Sequence, residues 1–303
     1  MVEDLKITDL EISVCATDAD YGAWREVRIA VVPYERCDSV DELRRQDEKD
    51  TRLMLLAHRD GVLVGSGLAD RSDSARTGSV APRVLPEHRR QGIGTALLGR
   101  LTDHLSGLGL PRVRATVDDD ESLAFAHAAG FEDVDHEIEQ TRTVAALPDL
   151  ADPPDGVEVV LAADRPGLWE ASYDRFGREA TGDFALSTAL DVTPERWATS
   201  WLGDPMFLAV HEGDVVGCAG LILDPDVPQR AENALTAVRR DWRGRGLAVH
   251  LKVRTLAWAA ESGIEEVYTW TQDGNAAMRS LNERLGYATT MRSTMVARTL
   301  PLR

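Results

Sequence analysis

The 303-residue sequence is poor in cysteine and aromatic residues and has no long uninterrupted hydrophobic segment. Its three cysteines, Cys15, Cys37 and Cys218, are odd in number and widely separated, which argues against a disulfide framework and against a zinc site. No apolar stretch approaches the roughly 20 residues that a membrane-spanning helix requires, and Met1 to Thr8 form no apolar signal region. We therefore expect a cytoplasmic protein with reduced thiols, no bound metal and no membrane partner.

Positive charge is also scarce. The chain has 34 Lys and Arg residues against 51 Asp and Glu residues, which gives a formal net charge of -17. Because such a surface repels phosphate backbones, we expect no nucleic-acid partner. The same charge is compatible both with simple solubility and with a cationic substrate.

A glycine-punctuated basic segment, by contrast, occurs twice. Arg89 and Arg243 hold the same place in the two copies and lie 154 residues apart, while Gly130-Phe131 and Gly286-Tyr287 lie 156 residues apart. Two landmarks at nearly the same spacing indicate an internal duplication. In each half, hydrophobic periodicity predicts a strand, two helices, three neighbouring strands, and then helix, strand, helix and strand. This order predicts a repeated α/β (α+β) domain in which helices flank a mixed sheet.

A stretch rich in proline, aspartate and glycine separates the two copies. Apolar periodicity is lost from Leu147 to Gly156, and Pro154 restricts the backbone there. We therefore expect an N-terminal domain over residues 1–147, a short semi-rigid linker over 148–155 and a C-terminal domain over 156–303.

Each basic segment lies between a predicted strand (79–85 or 234–239) and a predicted helix (93–105 or 247–262). The free backbone N–H groups at a helix N-terminus bind anions, and glycines allow the backbone to approach a diphosphate closely. Neither segment has the spacing of a dinucleotide-binding loop or the G-K-S/T ending of a nucleoside-triphosphate loop. Ordinary solvated helix starts are the alternative interpretation, and the twofold occurrence argues against it.

Both segments resemble the acyl-CoA-binding motif of the GNAT superfamily, Q/R-x-x-G-x-G/A. The matches are Arg89-x-x-Gly92-x-Gly94 and Arg243-x-x-Gly246-x-Ala248. The glycine-aromatic pairs downstream fit the helix-to-strand signature of the same family. The resemblance covers nearly the whole chain, one unit per half, as in tandem actinobacterial members.

The resemblance implies a mostly antiparallel sheet in each domain, splayed between its fourth and fifth strands. The pantetheine arm of acetyl-CoA would lie in that opening and its diphosphate on the loop that follows. The expected CoA-binding residues of the first copy are Val84, Leu85, Arg89, Arg90, Gln91, Gly92, Ile93, Gly94 and Thr95. Those of the second copy are Val238, Arg239, Arg240, Arg243, Gly244, Arg245, Gly246, Leu247, Ala248 and Asn275.

The family resemblance also implies a catalytic base. In histone-acetylating members a glutamate lies eleven residues before the motif, and the same count reaches Glu232 in the second copy but Gly78 in the first. Strand alternation would place Glu232 on one face with Ala234, Thr236 and Val238. A solvated strand-start carboxylate is the alternative. The backbone N–H near Val238 is the expected oxyanion donor.

The usual thiolate-protonating tyrosine of the family is missing from both copies. Its position holds Ala126 in the first copy and Asn282 in the second, and Asn282 is expected to hydrogen-bond the sulfur. We therefore interpret the first domain as a degenerate, cofactor-binding or structural domain and the second as catalytic.

These observations predict an acetyl-CoA-dependent N-acetyltransferase that acts on a small-molecule primary amine by direct acyl transfer in a ternary complex. An acyl-CoA-binding sensor or scaffold without turnover, and a protein acetyltransferase, are the alternatives. A monomer or a homodimer is expected.

Overall fold

The computed structural model describes residues 9–47, 51–72, 76–145, 150–184, 190 and 192–302. The chain forms two compact units, one of Met1–Val134 with Thr294–Arg303 and one of Asp135–Ser293. No helix within the described residues is both long and apolar enough to cross a membrane.

The first unit is built on a sheet whose first four strands are antiparallel neighbours in chain order. Its elements are β1 (Leu10–Val14), α1 (Asp18–Val31), α2 (Val40–Asp47), β2 (Leu53–Arg59), β3 (Val62–Arg71), β4 (Thr77–Val84), α3 (Ile93–Gly107), β5 (Arg112–Val117) and α4 (Asp120–Ala128). Helix α1 begins where it does because the Thr17 side chain and Asp20 form a capping box. Strand β5 joins β4 in parallel, so the sheet is mixed and mostly antiparallel, as predicted.

The second unit repeats this plan. Its elements are β6 (Glu132–Thr143), which begins in the first unit, β7 (Glu158–Leu161), α5 (Leu168–Ala171), α6 (Arg178–Phe184), α7 (Pro194–Ser200), β8 (Met206–His211), β9 (Asp214–Leu223), β10 (Arg230–Asn233), β11 (Ala237–Val238), α8 (Leu247–Glu261), β12 (Glu266–Gln272), α9 (Ala276–Arg284) and β13 (Ala288–Thr299), which ends in the first unit. Hydrophobic periodicity predicts one helix from Pro166 to Phe176, and this prediction is wrong, because a π-helical turn at Tyr173–Gly177 separates α5 from α6.

The last strand of each sheet comes from the opposite sequence repeat. In the first unit, β5 pairs with residues 294–299 of β13. In the second unit, β12 pairs with residues 137–143 of β6. The compact units therefore do not coincide with the repeats, and the linker predicted over 148–155 lies partly outside the described residues.

One long helix covers the same face of the sheet in each unit and encloses the core. In the first unit, buried residues of α3, among them Leu97 and Leu101, pack against Leu55 and Val113 of the sheet. In the second unit α8 fills the same role with Leu251, Val253 and Leu256. These cores fix the loops that precede the two helices.

Candidate functional site

The sheet splits in both units, between β4 and β5 and between β10 and β12. Pairing of β4 with β5 ends at Ser79 and Arg114, although both strands continue beyond that point. Pairing of β10 with β12 ends at Glu232 and Tyr268. Each split leaves a wedge between two strands, and the splayed sheet inferred from the family resemblance is confirmed.

Backbone direction at the first split follows from a single hydrogen bond. The Leu85 N–H donates to Val64 O of β3, so the N–H of Val84 points the other way, towards the opening. The same alternation directs Pro82, which has no N–H, to the opening. In the second unit the Arg239 N–H donates to Val216 O of β9, which leaves the N–H of Val238 directed into the split.

The first basic loop connects β4 to α3. The Arg89 side chain braces the loop, because its Nε donates to the carbonyl of Val84 at 3.3 Å and its Nη1 lies 3.2 Å from the Glu121 carboxylate. Gly92 is the N-cap residue of α3 and has φ = +80°, a conformation that favours glycine. Gln91 is held by Arg59.

The second basic loop has the same geometry. Arg243 Nε donates to the Val238 carbonyl at 2.9 Å, and Gly246 is the N-cap residue of α8 with φ = +79°. A Cβ on Gly244 or Gly246 would have no neighbour within 4 Å, so the outer face of the loop is open. Among the described residues, no side chain accepts a hydrogen bond from the amides of residues 244–248 or 92–95. Both loops therefore suit a diphosphate.

The arginine side chains of the second loop are held by protein groups. Asp183 of α6 forms ion pairs with both Arg240 and Arg243, and Glu179, one turn earlier, accepts a hydrogen bond from the Arg240 N–H at 2.5 Å. The two arginines hold the pKa of Asp183 below its usual range. Helix α6 thus places carboxylates beside groups that the sequence analysis assigned to CoA.

The remaining loop arginines are also engaged. Arg239 binds Asp241, while Arg245 donates to the Asp241 carbonyl at 3.0 Å and stacks on Trp242 at 4.5 Å. These contacts shape the loop itself. Some of the arginines in this loop therefore stabilise its conformation.

Glu232 lies at the end of the second split. It is the last residue of β10 that pairs with β12, and its Oε2 lies 3.3 Å from the Tyr268 hydroxyl, which donates a hydrogen bond to it. Because Ala231 is buried against α8, strand alternation directs Glu232 to the opposite face of the sheet. Arg230 shares that face and stacks on the Tyr268 ring at 4.0 Å.

The continuous strand predicted from Ala234 to Arg239 is wrong. Residues 234–236 leave the sheet between β10 and β11, so Glu232, Thr236 and Val238 do not follow one alternating face. This interruption adds one residue relative to β4. Strand pairing consequently matches Glu232 with Ser79 and not with Gly78, whose missing Cβ leaves room for Leu105 of α3.

The two asparagines assigned to the second site both make hydrogen bonds within the protein. The Asn275 side chain caps α9 by accepting a hydrogen bond from the Met278 N–H at 3.1 Å. Asn282 is fully buried, and its Nδ2 donates to Gln140 Oε1 at 3.0 Å. Its own Oδ1 is buried without a hydrogen-bond partner among the described residues.

Comparison with known proteins decides the family. The model of the Acetyltransferase (GNAT) family matches residues 21–131 and, a second time, residues 170–287. The chain belongs to the GNAT acetyltransferase family.

Relatives and solved structures match this GNAT chain over most of its length. The mycothiol acetyltransferase of Thermomonospora curvata is 29% identical over 240 residues, which cover 77% of this chain and 78% of that protein. A tandem GNAT protein from the clavulanic acid biosynthesis pathway has a TM-score of 0.76 at 21% identity, covering 96% of this chain and 98% of that one. A GCN5-related N-acetyltransferase from Sphaerobacter thermophilus gives 0.71 at 21% identity and 96% coverage of both chains. The solved structures establish the tandem GNAT fold.

Sequence reasoning missed a buried polar group on the α8 face of the second GNAT domain. Lys252 is 1% exposed, and its Nζ lies 4.9 Å from the centre of the Tyr287 ring. The Tyr287 hydroxyl accepts a hydrogen bond of 3.0 Å from Asn233 Nδ2, which also donates to the Tyr268 carbonyl at 3.1 Å. Comparing the two halves at α3 and α8 would have revealed it, because Leu98 stands where Lys252 does.

Proposed function

We propose that the second domain transfers the acetyl group of acetyl-CoA directly to the primary amine of a small molecule. The observation that carries this proposal is the position of Glu232 at the end of the second split, matched in the first domain by Ser79. A small-molecule acceptor is supported by the similarity to proteins named mycothiol acetyltransferases.

Acetyl-CoA would supply the activated acyl group. The amides of Gly244 to Ala248 would hold its diphosphate, since they stand at an open helix N-terminus. The N–H of Val238 is directed into the split, where it would donate a hydrogen bond to the acyl oxygen as that oxygen gains negative charge.

Glu232 would act as the base. A protonated amine cannot attack a carbonyl carbon, so the carboxylate must first remove a proton from it, directly or through one water. The hydrogen bond from Tyr268 fixes the orientation of the carboxylate. The neutral amine then forms the C–N bond from the face of the sheet opposite α8.

The first domain would bind the donor without transferring its acyl group. Its loop has the same left-handed glycine and the same brace as the second. Ser79, however, is not a base near neutral pH, and its Oγ donates to the Asp70 carbonyl at 3.3 Å. A cofactor-binding or structural role fits these residues best.

The contacts of α6 favour an acyl-CoA sensor as the second candidate function. Asp183 holds two arginines beside the catalytic-domain loop, and a ligand phosphate would compete for them. A sensor would use this exchange to report donor binding without turnover.

The deciding experiment measures CoA release from acetyl-CoA in the presence of a panel of small primary amines. The proposal expects turnover with at least one of them. Tight binding of acetyl-CoA without turnover on any amine would support the sensor, and acetylation confined to polypeptide amines would support a protein acetyltransferase.

A further inference from the structure

The buried cation Lys252 has no carboxylate partner among the described residues. It is the sixth residue of α8 and is almost completely enclosed, and the aromatic ring of Tyr287 is its one polar or ring contact within the described part of the chain. Burial without a counter-ion lowers the pKa of Lys252 to about 7. A lysine in this state costs the fold stability near neutral pH, so packing alone gives no reason for its presence.

The first domain shows that the fold does not need this polarity. Val80, Leu98, Ala126 and Phe131 form one apolar group beneath the first split. The four matching positions of the second domain are all polar: Asn233, Lys252, Asn282 and Tyr287. Phe131 and Tyr287 each follow the glycine that ends a helix, and Leu98 and Lys252 are each the sixth helical residue.

The polar group lies at the closed end of the second split. Asn233 directly follows Glu232, the last residue of β10 that pairs with β12, and its amide donates to the carbonyl of Tyr268. The same amide binds the Tyr287 hydroxyl, and the ring of Tyr287 covers Lys252. This chain of contacts connects Lys252 to the point where the strands part, on the face opposite Glu232.

We propose that the Lys252 ammonium donates the proton that the departing thiolate takes up in the second domain. This inference rests on the proposed function. As the amine nitrogen forms its bond to the acyl carbon, the C–S bond breaks and its electron pair goes to sulfur. One N–H bond of Lys252 then breaks, its proton moves to sulfur to give the thiol, and a neutral amine remains. The acceptor nitrogen, whose ammonium proton Glu232 has already passed to solvent, gives a second proton to Glu232 on the other face as the C–N bond forms. When the products leave, Glu232 releases this proton to solvent and Lys252 regains one from it.

The surroundings of Lys252 suit an acid that works near neutral pH. The one titratable group that faces it from the described part of the sheet is Tyr287, whose pKa burial raises to about 12, so that this phenol remains neutral. The charge of Arg142 in β6 opposes the rise in the pKa of Tyr287. On α8 itself, the Arg254 guanidinium lies over the Phe207 ring, and the His250 ring hydrogen-bonds to the Ala151 carbonyl. A donor whose pKa lies near the working pH transfers protons most efficiently.

The first arm of the test compares the pH profile of kcat for the wild type, Lys252→Met and Lys252→Arg. In the wild type kcat should fall as pH rises above about 7, because the ammonium is lost. Lys252→Met should lower kcat by about 100-fold, abolish this limb and leave the KM for acetyl-CoA nearly unchanged. Arginine, which does not release its proton, should not rescue kcat. Leu98→Met in the first domain is the matched control and should keep the wild-type profile.

The second arm requires no turnover. The side-chain resonance of Lys252, assigned in isotope-labelled protein by its loss in Lys252→Met, should shift when CoA is added and shift much less with desulfo-CoA. A pH limb that persists in Lys252→Met, or a resonance that responds equally to both ligands, overturns the inference. If the wild type turns over no amine, the proposed function fails, and the mechanism inferred for Lys252 fails with it, whereas altered profiles in an active enzyme concern Lys252 alone.

Discussion

The two domains carry the same loop on the same splayed sheet, yet the interior beneath the split is apolar in the first and polar in the second. Leu98 and Phe131 pack in an apolar core, whereas Lys252 at the matching position is buried against the ring of Tyr287, whose hydroxyl accepts a hydrogen bond from Asn233. Duplication preserved the backbone that would hold the acyl donor. The side chains beneath the split diverged, and this divergence is the basis for the proposal that the copies divide donor binding and chemistry between them.

The loops differ in their acidic neighbours as well. In the first domain Arg89 contacts Glu121, a residue of α4 that follows the split. In the second domain, Asp183 of α6 forms ion pairs with Arg240 and Arg243, and the Glu179 carboxylate accepts a hydrogen bond from the Arg240 N–H. A phosphate bound at the second loop would therefore compete with more protein contacts than one bound at the first loop.

The largest difference between the domains should appear on removing the proposed base. Glu232→Gln keeps the shape of the side chain but cannot accept the proton, so kcat should fall by about 100- to 10,000-fold. Steady-state assays of CoA release across pH measure this. Ser79→Ala, at the matching position, should leave kcat within about twofold of wild type. Equal losses of kcat in the two variants would contradict the proposal that only the second domain is catalytic.

Lys252, which has no ionisable counterpart at Leu98 in the first domain, should make the free energy of unfolding depend on pH. Its pKa is about 7 in the folded state and 10.5 in its ordinary state, so between these values the unfolded chain binds more protons and stability rises with pH. The free energy of unfolding should rise by about 1.4 kcal/mol per pH unit in that window, and the penalty is complete below it. Denaturant titrations should show that Lys252→Met loses this slope and is more stable at neutral pH. A slope unchanged in Lys252→Met would contradict a lysine whose pKa is lowered by burial.

The loop glycines allow each donor site to be removed separately. Gly92→Ala and Gly246→Ala place a Cβ on a residue with φ near +80°, which costs about 1–2 kcal/mol of strain. Calorimetry should detect two CoA sites in the wild type and one unperturbed site in each variant. Loss of both sites in one variant would mean that the domains do not bind independently.

The smallest effect concerns the acidic contacts of α6. Asp183→Asn releases Arg240 and Arg243 for a ligand, so CoA should bind the second site about threefold more tightly at low salt. The gain should shrink as salt screens the charges. Glu121→Gln is the matched change beside the first loop, and a larger gain there would reverse the comparison of the loops.

Local patterns in the sequence were sufficient for the loops and the long helices. Helix α8 was predicted from Leu247 to Ser262 and runs from Leu247 to Glu261, because its amphipathic period and its glycine N-cap are local signals. The pairing of β6 with β12 and of β13 with β5 could not be predicted, because the pairing of strands distant in sequence has no local sequence signal. The break at residues 234–236 shifted the count that paired Glu232 with Gly78.

The candidate site was predictable only in part. The family resemblance pointed to Glu232 and to both glycine loops, whereas the sequence around Lys252 is typical of the polar face of an amphipathic helix. Its burial depends on Tyr287 and Asn233, which lie 35 and 19 residues away in the sequence. Asp183 was overlooked for the same reason, because only the folded chain brings α6 to the second loop.

The central claim, that acyl transfer takes place in the second domain, is tested most directly by the turnover of the two loop variants under subsaturating acetyl-CoA. We expect Gly246→Ala to lose most of the kcat/KM of the wild type and Gly92→Ala to retain nearly all of it. Loss of turnover in Gly92→Ala with full activity in Gly246→Ala would place the chemistry in the first domain and contradict this account.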